Sequence, residues 1–179
     1  MADNKMRLMD YDEEVVRLAQ EVLAAAGRGY TPEQLMDIRN IEDMMHKYWW
    51  CVDMQLWEML EEVFTEDIVY LCNGFGGPIS GRDQAARAAQ SCPRGVIVPT
   101  HMGHNAVLQF TGPDTARLLV QLHDHHTVIA DHALKDGWGL YVNDFVRCAD
   151  GCWRIAVVRL GYRKVEGDKP IPEPKKRGL

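Results

Sequence analysis

An aspartate among three histidines, in QLHDHHTV at residues 121–128, is a dense group of titratable side chains directly after the apolar run LLV. Side chains alternate between the two faces of a strand, so Asp124 shares a face with Leu122 and Val120. A carboxylate on an apolar face needs a hydrogen bond or an opposite charge, and such a group often orients or charges another. The alternative is a strand end that has already reached solvent.

The neighbouring histidines raise the question of a metal site. His123 and His125 share the opposite, mixed face of the strand, and neutral imidazoles two residues apart can chelate zinc or iron. A third ligand would have to come from another segment, because the carboxylate of Asp124 points the other way. The sequence therefore predicts no metal site.

A second pair of histidines lies in THMGH, residues 100–104. Strict alternation back from Leu108 would place His104 on the apolar face of the following strand. A β-bulge at Gly103 would reverse this and turn His101 inward. The alternation pattern leaves both histidines open as an acid/base group or as a structural residue.

The helical segment KYWWCVD, residues 47–53, carries two further candidates. Tyr48 lies on the apolar stripe of its helix, as either a proton donor or a core tyrosine with a satisfied hydroxyl. Asp53 ends the helix about 140° around its axis from Tyr48. It can serve the site or act as the N-cap of the next helix.

Two arginines follow in RLGYRK, residues 159–164. By alternation Arg159 and Arg163 lie on the face that carries Trp153 and Ile155. Arginines on such a face require an acidic partner or an anionic ligand, unless the strand end is solvated.

The elements that would position these residues follow an α+β order. Thr31 precedes a proline and has a glutamine three residues later, which indicates a capped helix start. Helices of this kind would pack on one face of a curved antiparallel sheet and leave a pocket. Helices are predicted at 11–27, 31–53, 54–64 and 81–90, and strands at 67–72, 98–110, 115–129, 139–148 and 152–164.

Composition limits the class of protein. The 179 residues are 46% hydrophobic, which fits one domain with a substantial core. A net charge of −6 argues against nucleic acid and anionic membranes as partners. Neither a signal peptide nor an apolar run of about 18 residues is present. The five cysteines form no CxxC motif and are expected to be reduced, mostly buried thiols in a cytoplasmic protein.

The order of these segments resembles the SnoaL-like branch of the NTF2-like superfamily, whose fold is a cone-shaped α+β barrel. The resemblance spans residues 35–165, with a helical extension at 1–34 and a Pro/Lys-rich tail at 166–179. Within this branch the sequence is most similar to the bile acid 7α-dehydratase family. The matching stretches are KYWWCVDMQLWEML, THMGHNA, the acidic position in LHDHH, and GYR in the last strand.

The resemblance implies roles for particular residues. It selects His101 over His104 as the base, makes Asp124 the carboxylate that holds His101, and leaves the histidines beside Asp124 on the outer face or rim. The implied catalytic residues are Tyr48, Asp53, His101 and Asp124, and the implied substrate-binding residues are Arg163, Arg159, Asn143 and Trp49.

The implied activity is a cofactor-independent, metal-free hydro-lyase of lipid metabolism. Its substrate would be a 7-hydroxy-3-oxo-Δ4 bile acid or the coenzyme A thioester of that acid. A polyketide cyclase or a ketosteroid-isomerase-like enzyme would use the same cone and the same residue types. Outside enzymes, the alternative is a small-molecule-binding or assembly module. The resemblance also implies a homo-oligomer, a dimer or a trimer.

Overall fold

The computed structural model describes residues 7–8, 10–72, 77–90 and 95–167. A 3-10 turn at Trp57–Met59 accompanies the regular elements of these segments. The helices are α1 (Glu13–Ala25), α2 (Pro32–Asp53), α3 (Leu60–Val63) and α4 (Arg82–Ala89). The strands are β1 (Arg7–Leu8), β2 (Phe64–Cys72), β3 (Ile79–Ser80), β4 (Ile97–Gly112), β5 (Thr115–Val128), β6 (Leu134–Arg147) and β7 (Trp153–Gly167).

Helix α2 begins as the sequence predicts. The Thr31 side chain accepts a hydrogen bond from the Gln34 backbone N–H, and the Gln34 side chain accepts one from the Thr31 N–H. This capping box satisfies two of the N–H groups that a helix start leaves without intrahelical partners. The apolar stripe is buried at Ile41, Met45 and Tyr48, so α2 presents that face to the sheet.

The strands form a curved, unclosed, mixed sheet in the order β3-β2-β7-β6-β5-β4, with β1 paired to β7. The meander from β4 to β7 is antiparallel. The pairing of β2 with β7 is parallel, which the prediction of an antiparallel sheet missed. The predicted α+β cone is confirmed, with β3 and β4 at the two edges among the described residues.

The two long helices cover opposite faces of the sheet, whereas the sequence predicted one helical face. Helix α2 packs on the inner face and forms the main core with strands β2 and β4–β7. Helix α1 packs on the outer face, where Val15 and Leu18 contact Val142 of β6. The odd and even residues of β6 therefore lie in two separate cores.

Several predicted bounds shift. The helix predicted at 54–64 is only a 3-10 turn and the single turn of α3, and β2 begins at Phe64. Strand β6 begins at Leu134 because residues 134–138 continue the ladder with 123–127. The predicted tail begins at 166, but β7 extends to Gly167, and residues 168–179 lie outside the described ranges.

Four of the cysteines lie in the described part of the chain, and all four are free. Only Cys51 among them is buried, so the expectation of mostly buried thiols is wrong for this part of the chain. No described helix is long and apolar enough to cross a membrane.

Candidate active site

The C-terminal end of α2 meets strand β4 in a histidine–aspartate pair. Nδ1 of His101 lies 2.6 Å from Oδ1 of Asp53, and the backbone N–H of His101 donates to Oδ2 at 2.9 Å. A carboxylate only accepts hydrogen bonds, so Nδ1 carries a proton, and in the neutral imidazole Nε2 carries the lone pair. The prediction that Asp124 holds His101 is wrong, because Asp53 makes this contact.

A β-bulge decides which histidine points inward. The register of β4 with β5 shifts between His104 and Val107, and Asn105 has a φ of 56°. The shift lies at Asn105 and Ala106, not at Gly103 as the sequence suggested. It allows His101 and Leu108 to face the interior together, while His104 is exposed.

Asp124 lies opposite His101 in the β4–β5 ladder and is completely buried. Its Oδ2 accepts a hydrogen bond of 2.5 Å from the Tyr162 hydroxyl. Gly137 is its cross-strand neighbour on β6, and a Cβ there would lie 1.9 Å from Asp124 Oδ1. The missing side chain at residue 137 therefore makes room for the carboxylate.

His126 completes this cluster and was missed by the sequence analysis. The alternation that places Leu122 and Asp124 inward continues to residue 126, so the pattern could have identified it. Its Nδ1 lies 3.7 Å from Asp124 Oδ2, and its ring stands perpendicular to that of His101 at 5.9 Å between centroids. Burial lowers the pKa of His126 to about 4 against the opposing effect of Asp124, so the ring is neutral.

Four tyrosines line the same interior. The hydroxyls of Tyr48 and Tyr70 lie 3.1 Å apart, and the ring of Tyr141 stands edge-on to that of Tyr48. Burial raises the pKa of Tyr70, Tyr141 and Tyr162 well above the ordinary value. These phenols remain protonated, and a protonated phenol can donate a hydrogen bond to a developing oxyanion.

Two of the predicted substrate-binding residues have packing contacts at the core. Trp49 lies over Gly103, where a Cβ would come within 1.9 Å of the indole ring. Asn143 is fully buried, donates to Met45 Sδ at 3.3 Å and accepts from the Arg159 backbone N–H at 3.1 Å. Asn143 thus connects α2 to β7.

The two predicted arginines lie away from this cluster. The register of β6 with β7 shifts between Asp144 and Phe145, where residue 156 is extra, so Tyr162 faces inward while Arg159 and Arg163 face outward. The Arg163 side chain is 55% exposed and pairs with Asp10 at 2.7 Å. Arg159 binds Asp144 at 2.8 Å on the outer face, beneath α1. Placing either arginine in the site was wrong, because alternation cannot register a bulge.

The histidines beside Asp124 on the chain lie on the outer face, as predicted. His125 Nδ1 is 2.7 Å from Asp136 Oδ1, and His123 stacks on Trp138 with 4.8 Å between ring centroids. Both histidine side chains are about one-third exposed.

The fold and the site together define an α+β cone that carries a carboxylate-oriented histidine and neutral phenol donors in its interior. This is an arrangement for general acid–base chemistry. The chain belongs to the SnoaL-like domain family, whose model matches residues 33–159.

Solved structures share this fold. One is a candidate scytalone dehydratase of Novosphingobium aromaticivorans, with a TM-score of 0.69 and 21% identity over 82% of this chain and 97% of that chain. A type 2 hexachlorocyclohexane dehydrochlorinase has a TM-score of 0.67 and 17% identity over the same shares of the two chains. A type 3 enzyme of that name from Novosphingobium barchaimii has a TM-score of 0.64 and 18% identity, covering 72% of this chain and 88% of that chain.

Proposed function

We propose that the protein is a hydro-lyase that eliminates water from a hydroxylated steroid-type substrate. The observation that carries this proposal is the His101–Asp53 pair inside the cone, in which Asp53 binds both the ring and the backbone N–H of His101. A histidine whose Nδ1–H is fixed by a carboxylate presents Nε2 as a general base and gains a stabilised cation when it is protonated. Two of the similar structures are named as a dehydratase and a dehydrochlorinase. Both names denote elimination reactions, which agrees with the proposal.

The elimination would begin at His101. Nε2 removes a proton from a carbon made acidic by a carbonyl or a conjugated enone, and the C–H electron pair passes into the new double bond. Asp53 keeps the tautomer fixed and compensates the imidazolium charge. Positioned acid–base groups of this kind contribute roughly 10²–10⁴-fold in rate.

The departing hydroxyl needs a proton, and Tyr48 is the proposed donor. The hydroxyls of Tyr48 and Tyr70 share a hydrogen bond, so one of their two protons lies between the two oxygens. The other proton can be donated to another oxygen. The C–O bond then breaks and the hydroxyl leaves as water. Asp124 takes a different role from the predicted one: it anchors the Tyr162 hydroxyl at the interior wall.

The specific substrate that we propose is a 7-hydroxy-3-oxo-Δ4 bile acid, free or as its coenzyme A thioester. The support is the similarity of KYWWCVDMQLWEML, THMGHNA and LHDHH to the bile acid 7α-dehydratase family. These segments contain Tyr48, His101 and Asp124, which face the interior of the fold. Loss of water from this substrate extends the enone to a conjugated dienone.

The test is an absorbance scan of the purified protein with 7α-hydroxy-3-oxo-4-cholenoic acid, the coenzyme A thioester of this acid, and the 7β epimers. We expect a growing dienone band with the wild type and with His104→Ala, whose exposed histidine lies on the same strand. His101→Ala should lose the band. A band that persists in His101→Ala contradicts the mechanism, and no band with any substrate contradicts the bile acid assignment.

An isomerase is the second candidate. The buried Asp124–Tyr162 pair carries this alternative, because a carboxylate can act as the base without a histidine. The prediction that distinguishes it is proton transfer on a Δ5-3-oxosteroid that survives His101→Ala and is lost in Asp124→Asn.

A further inference from the structure

We propose that His101, Asp124 and His126 form a binding site for a divalent transition-metal ion of the zinc and cobalt class. The three residues come from neighbouring strands of the sheet, β4 and β5, and each offers one ligand atom within 4.8 Å of the other two. Two imidazoles and one carboxylate are a donor set that suits such ions. From the sequence, His123 and His125 on the outer face are the histidines whose spacing suggests metal ligands.

Two atoms of this cluster lack other partners. Among the described residues, no hydrogen-bond partner reaches Asp124 Oδ1 or His126 Nδ1, although both atoms are inaccessible to solvent. A buried polar atom without a partner costs about 1–3 kcal/mol, and more when it belongs to a charged group. A bound cation would satisfy both atoms and compensate the buried carboxylate.

The surrounding groups already orient the ligands. Asp53 accepts the Nδ1–H of His101, which leaves the Nε2 lone pair available to an ion, and the Tyr162 hydroxyl donates to Oδ2 of Asp124 and holds that carboxylate. Hydrogen bonds of this second layer set the tautomer and the orientation of metal ligands in known sites.

The spacing fits an ion with a small adjustment. Ligand atoms about 2.0–2.2 Å from a tetrahedral ion lie roughly 3.4 Å apart. All three ligand atoms lie within 4.8 Å of one another, so side-chain rotations that close the gaps by up to about 1.4 Å would complete the shell. The fourth position would be open to water or to a ligand.

Metal binding has a chemical consequence, which rests on the function proposed above. The lone pair of His101 Nε2 cannot bind an ion and accept the substrate proton at the same time. A bound zinc ion should therefore inhibit the elimination.

The test is a titration of untagged, chelator-treated full-length protein with Co²⁺, followed by visible absorption. We expect saturable binding of one ion per chain, with d–d bands of low-coordinate cobalt. His126→Gln should abolish these bands, and Asp53→Asn should weaken binding by roughly 10–100-fold. The matched control is His125→Gln, on the outer face of the same strand, which should bind as the wild type does.

A second measurement does not depend on the folding of a variant. X-ray absorption of the zinc-loaded wild type should show two imidazole ligands and no sulfur. The proposal is overturned if the folded wild type shows no saturable binding, if sulfur enters the shell, or if folded His126→Gln binds cobalt as tightly as the wild type. None of these outcomes depends on turnover, so failure of the proposed reaction remains distinguishable.

Discussion

At the scale of single residues, the site depends on which carboxylate touches His101. Alternation correctly placed Asp124 on the inner face, since this depends only on local strand geometry. It could not show that Asp53, at the end of α2, would be the partner of His101, because that contact joins a helix to a distant strand. Periodicity gives the face of a side chain but not the group opposite it.

The Asp53–His101 contact leads to a prediction about rate. Asp53→Asn should lower kcat of the elimination by roughly 10²–10⁴-fold, because an amide neither fixes the required tautomer nor stabilises the imidazolium. The measurement is the dienone assay across pH. Asp43→Asn is the matched control on the same helix, where Asp43 pairs with Arg39 at the surface. A kcat of Asp53→Asn within a few-fold of wild type would contradict the role of Asp53.

His126 leads to a prediction about stability. Its pKa falls from 6.5 in the unfolded chain to about 4 in the folded protein, chiefly through burial. The unfolded chain binds more protons between these values, so the free energy of unfolding should decrease as pH falls from 6.5 to 4, by about 3 kcal/mol. Urea unfolding of chelator-treated protein measures this change.

His126→Gln should reduce that dependence on pH, and His125→Gln, on the outer face, should keep it. The neighbouring groups Asp124, His101, Lys135 and Asp53 also act on His126, and they remain in both variants. The same slope in His126→Gln and in the wild type would show that other groups cause the loss of stability.

At the scale of elements, two register shifts decide the orientation of the site. The shift at Asn105 and Ala106 turns His101 inward, and the shift at residue 156 turns Tyr162 inward and Arg163 outward. The sequence predicted the strands because their apolar alternation is strong. The shifts have no comparable signal, and an extra residue in one strand exchanges the two faces beyond it.

The β5–β6 pair leads to a prediction at Gly137. Gly137→Ala would place a Cβ 1.9 Å from Asp124 Oδ1 and 2.6 Å from the Tyr162 ring. We expect a loss of about 1–3 kcal/mol of stability, as for other overpacked cores. The measurement is urea unfolding. Gly29→Ala, with no atom near the added Cβ, should change stability by less than about 1 kcal/mol. Equal stabilities of the two variants would contradict the close packing around Asp124.

At the scale of the whole molecule, the outer face of the sheet is only partly covered by α1. Val98, Met102 and Leu134 are exposed on strands β4 and β6. We expect the protein to form a dimer or a trimer through this face, since exposed apolar surface of this kind commonly marks an interface. Light scattering should give a multiple of the 20.4 kDa chain mass.

Val98→Lys should weaken that association, because the change places a charge on the apolar face. Val16→Lys is the control, since Val16 is exposed on helix α1 and not on the strands. A wild type that is monomeric at micromolar concentration would contradict the expectation.

The parallel pairing of β2 with β7 has a consequence for how the molecule is made. It joins a strand from the first half of the chain to the last described strand, so its loop-closure entropy is large and its formation is slow. Tyr162, the partner of Asp124, belongs to that last strand. During synthesis the ribosome releases α2, β4 and β5 first. Asp124 can accept the hydrogen bond from Tyr162 only after β7 emerges. Until then the nascent chain exposes the edges of β2 and β6, and this interval is when it most needs protection from aggregation.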